Sequence, residues 1–269
     1  MQILKLCKKF FTIANCLCFC SLSIIAQNIS GYVNGMPSVI VQKPYSDTWW
    51  QALAHNRLNL GWQMSDYLRF DAGMRNRLIT GSEALINPKS AGADLGLLDL
   101  SWNWASGKNI LLNTTFDRLN FTYEKDKWKL QLGRQRINWG QTFVWNPNDI
   151  FNTYSFFDFD YPERQGCDAF RIKYYHTETS SSELAISANH DKKITAAALH
   201  RWNKRGVDYQ IMAGEQAETD LVIGGALTSD FSGLNLQIEI SYLNLADTSG
   251  IVAVSVGADY FFQLDDASD

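Results

Sequence analysis

Over most of the chain, apolar and polar residues alternate one for one. In 233–242, Leu234, Leu236, Ile238, Ile240 and Tyr242 interleave with Asn235, Gln237, Glu239 and Ser241. In 67–75, Leu68, Phe70, Ala72 and Met74 interleave with Arg69, Asp71, Gly73 and Arg75. The same period runs through 98–104, 118–123, 128–133, 170–174 and 252–260, and less cleanly through 50–64, 184–190, 193–202, 206–214 and 219–229. A period of two puts one set on each face of a β-strand. Polar turn clusters separate these stretches, among them Ser65-Asp66, Ser106-Gly107-Lys108, Asp191-Lys192 and Asn203 to Gly206. The pattern predicts about twelve strands of roughly ten residues each, the signature of a transmembrane antiparallel β-barrel. The fold class expected is therefore all-β. Lipid offers no hydrogen bonds, so a spanning sheet must close on itself, apolar towards lipid and polar towards the lumen.

A soluble β-sandwich or secreted β-barrel is the competing architecture. Two features favour the membrane. Charges sit in mid-strand on the polar face, as at Arg69-Asp71-Arg75, and Trp62, Trp104, Tyr123, Trp128 and Tyr242 each lie near a turn, where an aromatic girdle meets headgroups. Aromatic residues make up 13% of the chain, enough to supply such a girdle. After the leader, no stretch is apolar for the roughly 18 residues that a spanning helix needs.

Residues 1–26 read as a secretory signal peptide. Lys5, Lys8 and Lys9 precede an apolar run from Phe10 to Ala26. A membrane anchor and a lipoprotein leader are the alternatives; Asn15 before Cys16 is a poor fit to the second. Four of the five cysteines lie in this leader. Only Cys167 remains, so neither an internal disulfide nor a cysteine-rich zinc site is expected. The net charge is −4, and three lysines fall in the first ten residues, so the remainder is more acidic still. That excludes a broadly basic nucleic-acid-binding surface. The domain plan is a leader at 1–26, an N-terminal extension at 27–49 lying in the periplasm or lumen, and a barrel over 50–269.

One segment, 138–168, breaks the alternation. It is too long for a hairpin turn and is expected to be an external or inward-folded loop. Asn146-Pro147 initiates a turn, and Asn148 or Asp149 is placed to cap a short helix over 149–154. The second long connection, 79–95, shares a side with it if 96–106, 108–123 and 127–139 are three separate passes.

The run GRQRINWGQTFVWNPNDIFN (133–152), followed by YPERQGCDAFRIKYY (161–175), resembles porin-like outer-membrane β-barrels of Gram-negative bacteria. The residues carrying the resemblance include Trp139, Gly140, Trp145, Asn146, Pro147 and Asp149. It covers about forty residues and implies location and passive transport rather than a substrate or a chemistry. Related chains are usually longer. The polar tail after Phe262 then leaves two options: a last strand over 250–262 with a free tail, or an N-terminal portion of a larger barrel, which the resemblance favours.

The charges suggest a mechanism. The loop carries Asp149, Asp158, Asp160 and Glu163, and the polar faces of nearby strands carry Arg69, Arg75, Arg118 and Arg171, with Arg134 or Arg136. An acidic loop facing a basic wall would set a transverse field at a constriction. Alternatively, these residues pair with one another and fill a narrow interior. No catalytic or metal-binding motif stands among His55, His176, His190 and His200. A barrel hydrolase using His200 with a neighbouring serine, and an export-assembly barrel without a pore, are the other functions weighed. No cofactor and no nucleic acid are expected. The expected partners are outer-membrane lipid, small hydrophilic solutes and the barrel-assembly machinery.

Overall fold

The computed structural model describes residues 28–41, 48–82, 92–142, 145–152, 165–218, 220–244 and 250–260. The expected leader, the helix positions 153–154, the acids Asp158, Asp160 and Glu163, and the tail after Tyr260 lie outside the described residues.

Thirteen strands form one antiparallel sheet: β1 (Asn28–Val41), β2 (Thr48–Gln63), β3 (Leu68–Gly81), β4 (Ser101–Ser106), β5 (Ile110–Lys125), β6 (Trp128–Gln135), β7 (Cys167–Thr177), β8 (Ser180–Ala188), β9 (Ile194–Lys204), β10 (Val207–Gln216), β11 (Asp220–Phe231), β12 (Leu234–Asn244) and β13 (Ile251–Tyr260). Neighbours in sequence are neighbours in space, except that β3 pairs directly with β5 and β4 lies off the path. Among the described residues, β1 and β13 are unjoined edges.

Two boundaries differ from the sequence reading. Residues 28–41 are not an extension but an edge strand, paired with β2 from Asn28↔Gly61 to Val41↔Thr48. Their alternation is weak because Gly31, Gly35 and Pro37 occupy three positions of the row that also holds Ile29, Val33, Val39 and Val41. An edge tolerates the missing N–H of Pro37, which a central strand would not. Residues 96–106 are not a full pass. Only six of them form β4, which covers the first half of one side of β5, while β6 covers the second half of that side.

That arrangement repairs a notch. β6 and β7 pair over only eight positions, Trp128↔Tyr174 to Gln135↔Cys167, so β5 extends beyond them on one side, while on the other β8 stops level with Asp168. The 92–106 segment fills the gap. β4 pairs with β5, the Phe116 N–H donates to the Leu100 carbonyl (3.0 Å), and Gly96 bridges Asn189 just beyond β8.

The sheet has one end of tight turns and one of long connections. At the tight end, β5–β6, β7–β8, β9–β10 and β11–β12 are joined by two residues each. Arg205-Gly206 and Ser232-Gly233 have positive φ at both positions, the twist that a two-residue hairpin requires. Both long connections, 82–100 and 136–166, leave from the opposite end; they share it because only β5 and β6 run between them, whereas the three passes expected would have put them at opposite ends.

The faces follow the alternation. Val33 (78% exposed), Ile223 (53%) and Val256 (69%) belong to an apolar face open to the surroundings. Aromatic residues bound it at both ends. Trp128 packs on Tyr174 (4.6 Å) and Trp202 stacks on Tyr209 (5.4 Å) at the tight-turn end, while Trp50, Trp102 and Trp104 are exposed at the other. The opposite face carries the polar row. Its apolar core comes not from a second sheet but from residues of the 136–152 segment: Ile137, Trp139, Ile150 and Phe151 pack on Ala169, Ala185, Ala197, Leu199, Met212 and Val222. Alanines in the polar row give that segment a floor to lie on.

Candidate functional site

Of the loop expected over 138–168, the described residues 138–142 and 145–152 fold onto the polar face, and their motif residues form one hydrogen-bonded unit. Asn146, Pro147, Asn148 and Asp149 make a β-turn closed by the Asp149 N–H on the Asn146 carbonyl (3.1 Å), with proline at its second position. The described part of the expected helix, 149–152, is not helical: the Asn152 amide closes the segment instead, donating to the Ile137 carbonyl and to Asp149 Oδ1 (2.9 Å for the latter). Trp139 is fully buried, edge-on to Phe151. Trp145 is exposed. Thr142 Oγ1 donates to the Trp145 carbonyl (2.6 Å).

Two strand carboxylates anchor this unit, and neither stood among the candidate site residues. Glu239 of β12 is fully buried. Its Oε2 accepts the N–H groups of Gln141 (2.8 Å) and Thr142 (3.3 Å), and its Oε1 accepts that of Asn148 (2.6 Å). A carboxylate taking three backbone N–H bonds is held by charge-assisted contacts, roughly twice as strong as neutral ones. Glu183 of β8 takes the indole N–H of Trp139 (2.5 Å) and a two-pronged contact from Arg171 (2.7 and 2.8 Å). Asn148 completes the anchorage, donating to the Gly225 carbonyl (3.0 Å) and accepting from Ser241 (2.5 Å). The only hint in the sequence was an acid in mid-strand on a polar row, which does not distinguish an anchor from a solvated charge.

Glycines make room for the unit. A Cβ on Gly140 would lie 2.4 Å from Asn146, and one on Gly224 would lie 2.1 Å from Asn148 Oδ1. We expect Gly224→Val to expel the Asn148 turn and lower stability by about 1–3 kcal/mol, the usual overpacking cost. Gly225→Ala points to the other face and should change stability by less than about 0.5 kcal/mol. Urea denaturation of the folded protein, followed by tryptophan fluorescence, compares them.

The candidate arginines do not share one environment. Arg69 is half-exposed beside Asp71 (2.7 Å). Arg75 is buried, opposite Arg57 and Thr115. Arg118 follows a bulge at which β5 gains one residue against Gly73 and Met74 of β3. The extra residue is Asp117, which is thereby brought onto the polar face and bonds Arg57 of β2. The pair reaches across β3 over Gly73, whose Cβ would lie 2.7 Å from the guanidinium and 3.0 Å from Asp117. Arg69, Asp71, Arg118, Gln131 and Arg136 line a hollow of about 500 Å³ on this face. Arg171 is committed to Glu183 and Gln131. Arg134 stands apart: by register it lies in the row of Leu119, Leu132 and Phe170, at the base of the notch, bound to Asp94 and Asp168.

His200 does have a serine neighbour. Ser182 Oγ lies 2.9 Å from His200 Nδ1 and 2.8 Å from His176 Nε2, on the apolar face near the tight turns. Cys167 is a free thiol directed at the Gln135 carbonyl (3.6 Å).

No family model matches the chain, and neither does any curated protein. Among solved structures, the chain is similar to mutants of Rh. blastica porin. One triple mutant superposes with a TM-score of 0.40 at 10% identity over 88% of this chain and 91% of that one. A second, named as Rhodopseudomonas blastica porin, gives 0.37 at 10% identity with the same coverages. A third variant gives 0.39 at 11% identity, again over 88% and 91%.

Proposed function

We propose that the chain is an outer-membrane β-barrel channel through which small hydrophilic solutes diffuse passively, narrowed by the 136–152 segment. One observation carries the proposal: the sheet exposes a continuous apolar face edged by aromatics while its other face is polar, charged and lined by its own chain. In water such an apolar face would be an aggregation surface; in a bilayer it is the required outer wall. Strands of ten to twelve residues, such as β10 and β11, match the length of a tilted span. The tight-turn end corresponds to the periplasmic side of such barrels. β1 and β13 run antiparallel to each other, so the edges satisfy the direction rule for pairing with one another or with further strands.

The basic residues of the polar face lie on β2 to β9, where Arg57, Arg69, Arg75, Arg77, Arg118, Arg171, Lys173 and Arg201 outnumber acids such as Asp71, Asp117 and Glu183, whereas β10 to β13 contribute acids only, among them Asp208, Asp230, Glu239 and Asp259. Curling the sheet sets a basic wall against an acidic wall. The transverse field then arises between two arcs of the wall, with the loop as spacer, rather than between an acidic loop and a basic wall. Several of these groups pair locally, which narrows the opening further.

Planar-bilayer recording tests the proposal. Purified, folded protein should give discrete conductance steps. A folded, membrane-inserted sample that passes no current would leave the sheet as a closed structural barrel.

A further inference from the structure

Resting on the barrel reading above, we infer a binding site for one anionic glycerophospholipid on the bilayer-facing wall, in the periplasmic leaflet. The site has an apolar trough and a polar head. The trough, about 750 Å³, runs over β7 to β11 between Ile172, Leu184, Ile211 and Ile223, and its floor is low because Ala198 and Ala213 stand in the same outward row. This is the shape an acyl chain fills.

The head is the His176–Ser182–His200 cluster. Ser182 has one hydroxyl proton and two imidazole neighbours, so it donates to one ring and accepts from the other. Whichever way round this is arranged, one imidazole presents an N–H on its remaining nitrogen and the other a lone pair. Those two nitrogens, His176 Nδ1 and His200 Nε2, have no hydrogen-bond partner among the described residues. A phosphodiester oxygen takes the N–H directly. Burying such a cluster against hydrocarbon alone would leave those groups unsatisfied.

The rings are fixed in place. His200 stacks on Trp202 (5.4 Å), and His176 meets Tyr174 edge-on (5.0 Å), within the aromatic belt at headgroup depth. At this end the outward rows carry Lys125 and Lys204, while the strand acids Glu124 and Asp208 stand in the inward rows opposite Lys129 and Asn203. With Lys127 and Arg205 set against Asp126 and Glu178 in the turns, it is the outward side that is cationic, which favours an anionic over a zwitterionic lipid. Lys127 Nζ reaches the His176 carbonyl (3.4 Å), which brings one of these cations to the cluster.

The test uses the full chain folded into phosphatidylcholine vesicles containing about 10 mol% phosphatidylglycerol, an anionic fraction chosen to keep surface attraction modest. Gentle solubilisation and native mass spectrometry then count retained lipids. The expected result is one retained phosphatidylglycerol, with retention falling about tenfold in Ser182→Ala, the equivalent of about 1.4 kcal/mol. Ala198→Leu with Ala213→Leu, which fills the trough and leaves the cluster intact, should lower it similarly. Equal retention of both lipids, or unchanged retention in both variants, overturns the site. So does release of lysophosphatidylglycerol, which would make the cluster hydrolytic. A protein that inserts and conducts but shows no preference refutes the lipid site alone; one that never enters the vesicles refutes the barrel as well.

Discussion

In the proposed channel, replacing Glu239 by glutamine should raise single-channel conductance about two- to threefold, because it releases the segment proposed to narrow the lumen. The carboxylate accepts three backbone N–H groups from residues 141, 142 and 148, and it does so while fully buried. Glutamine keeps the volume but offers one acceptor oxygen, and its NH₂ group faces N–H donors. Each N–H left unsatisfied in a buried site costs about 1–3 kcal/mol. The segment has a second tether at Trp139, through Glu183, and a third at Asn148, through Gly225 and Ser241. Residues 141 and 142 should therefore detach from β12, while the segment stays attached at β8 through Trp139 and at β11 and β12 through Asn148. Wider steps in a planar bilayer, together with a new protease cut near Gln141, would confirm this. Unchanged conductance in a folded variant would show that the segment does not limit the path. Glu183→Gln provides the comparison: it also strands Arg171, so its larger effect should fall on folding rather than on conductance.

The strands were legible in the sequence because a bilayer or an open face enforces strict alternation. β12 is the clearest case, Leu236, Ile238, Ile240 and Tyr242 standing in one row. β1 was not legible, since an edge tolerates the glycines and the proline that interrupt its row. β4 was read as a pass because its residues alternate well. What prevents it from being one is the shortness of β6 and β7, a property of other segments. The length of the loop left an external and an inward course both open, and only its turn followed from Asn146-Pro147. The anchoring carboxylates did not, because alternation assigns a face and says nothing about the partner. The bulge at Asp117 is similarly hidden: one extra residue changes which charges share a side, and no composition or period reports it.

Arg134→Met should cost about 3–5 kcal/mol, the usual penalty for removing one member of a buried charged cluster. Its guanidinium grips Asp168 with two bonds (2.9 and 2.8 Å), reaches Asp94 (2.5 Å), and donates to the carbonyls of Leu98 (2.5 Å) and Phe116 (3.1 Å). Those carboxylates hold further backbone: Asp168 accepts from Leu98 N (2.9 Å), and Asp94 from Gly96 N (2.8 Å) and Leu100 N (2.7 Å). One arginine thus ties β5, β6, β7 and the 92–100 segment together where the wall would otherwise have a hole. Gly96 must lack a side chain there, since a Cβ would lie 2.0 Å from the guanidinium. Removing the cation leaves two acids facing each other in a buried site, so the repulsion between them adds to the lost bonds. A control separates charge from contact: Arg134→Met placed on Asp94→Asn with Asp168→Asn should cost clearly less than it does alone, because no stranded anions remain. Urea midpoints of the four proteins give the coupling. If Arg134→Met costs the same in both backgrounds, the cluster acts through packing, and the notch is closed by the β4–β5 pairing rather than by the arginine.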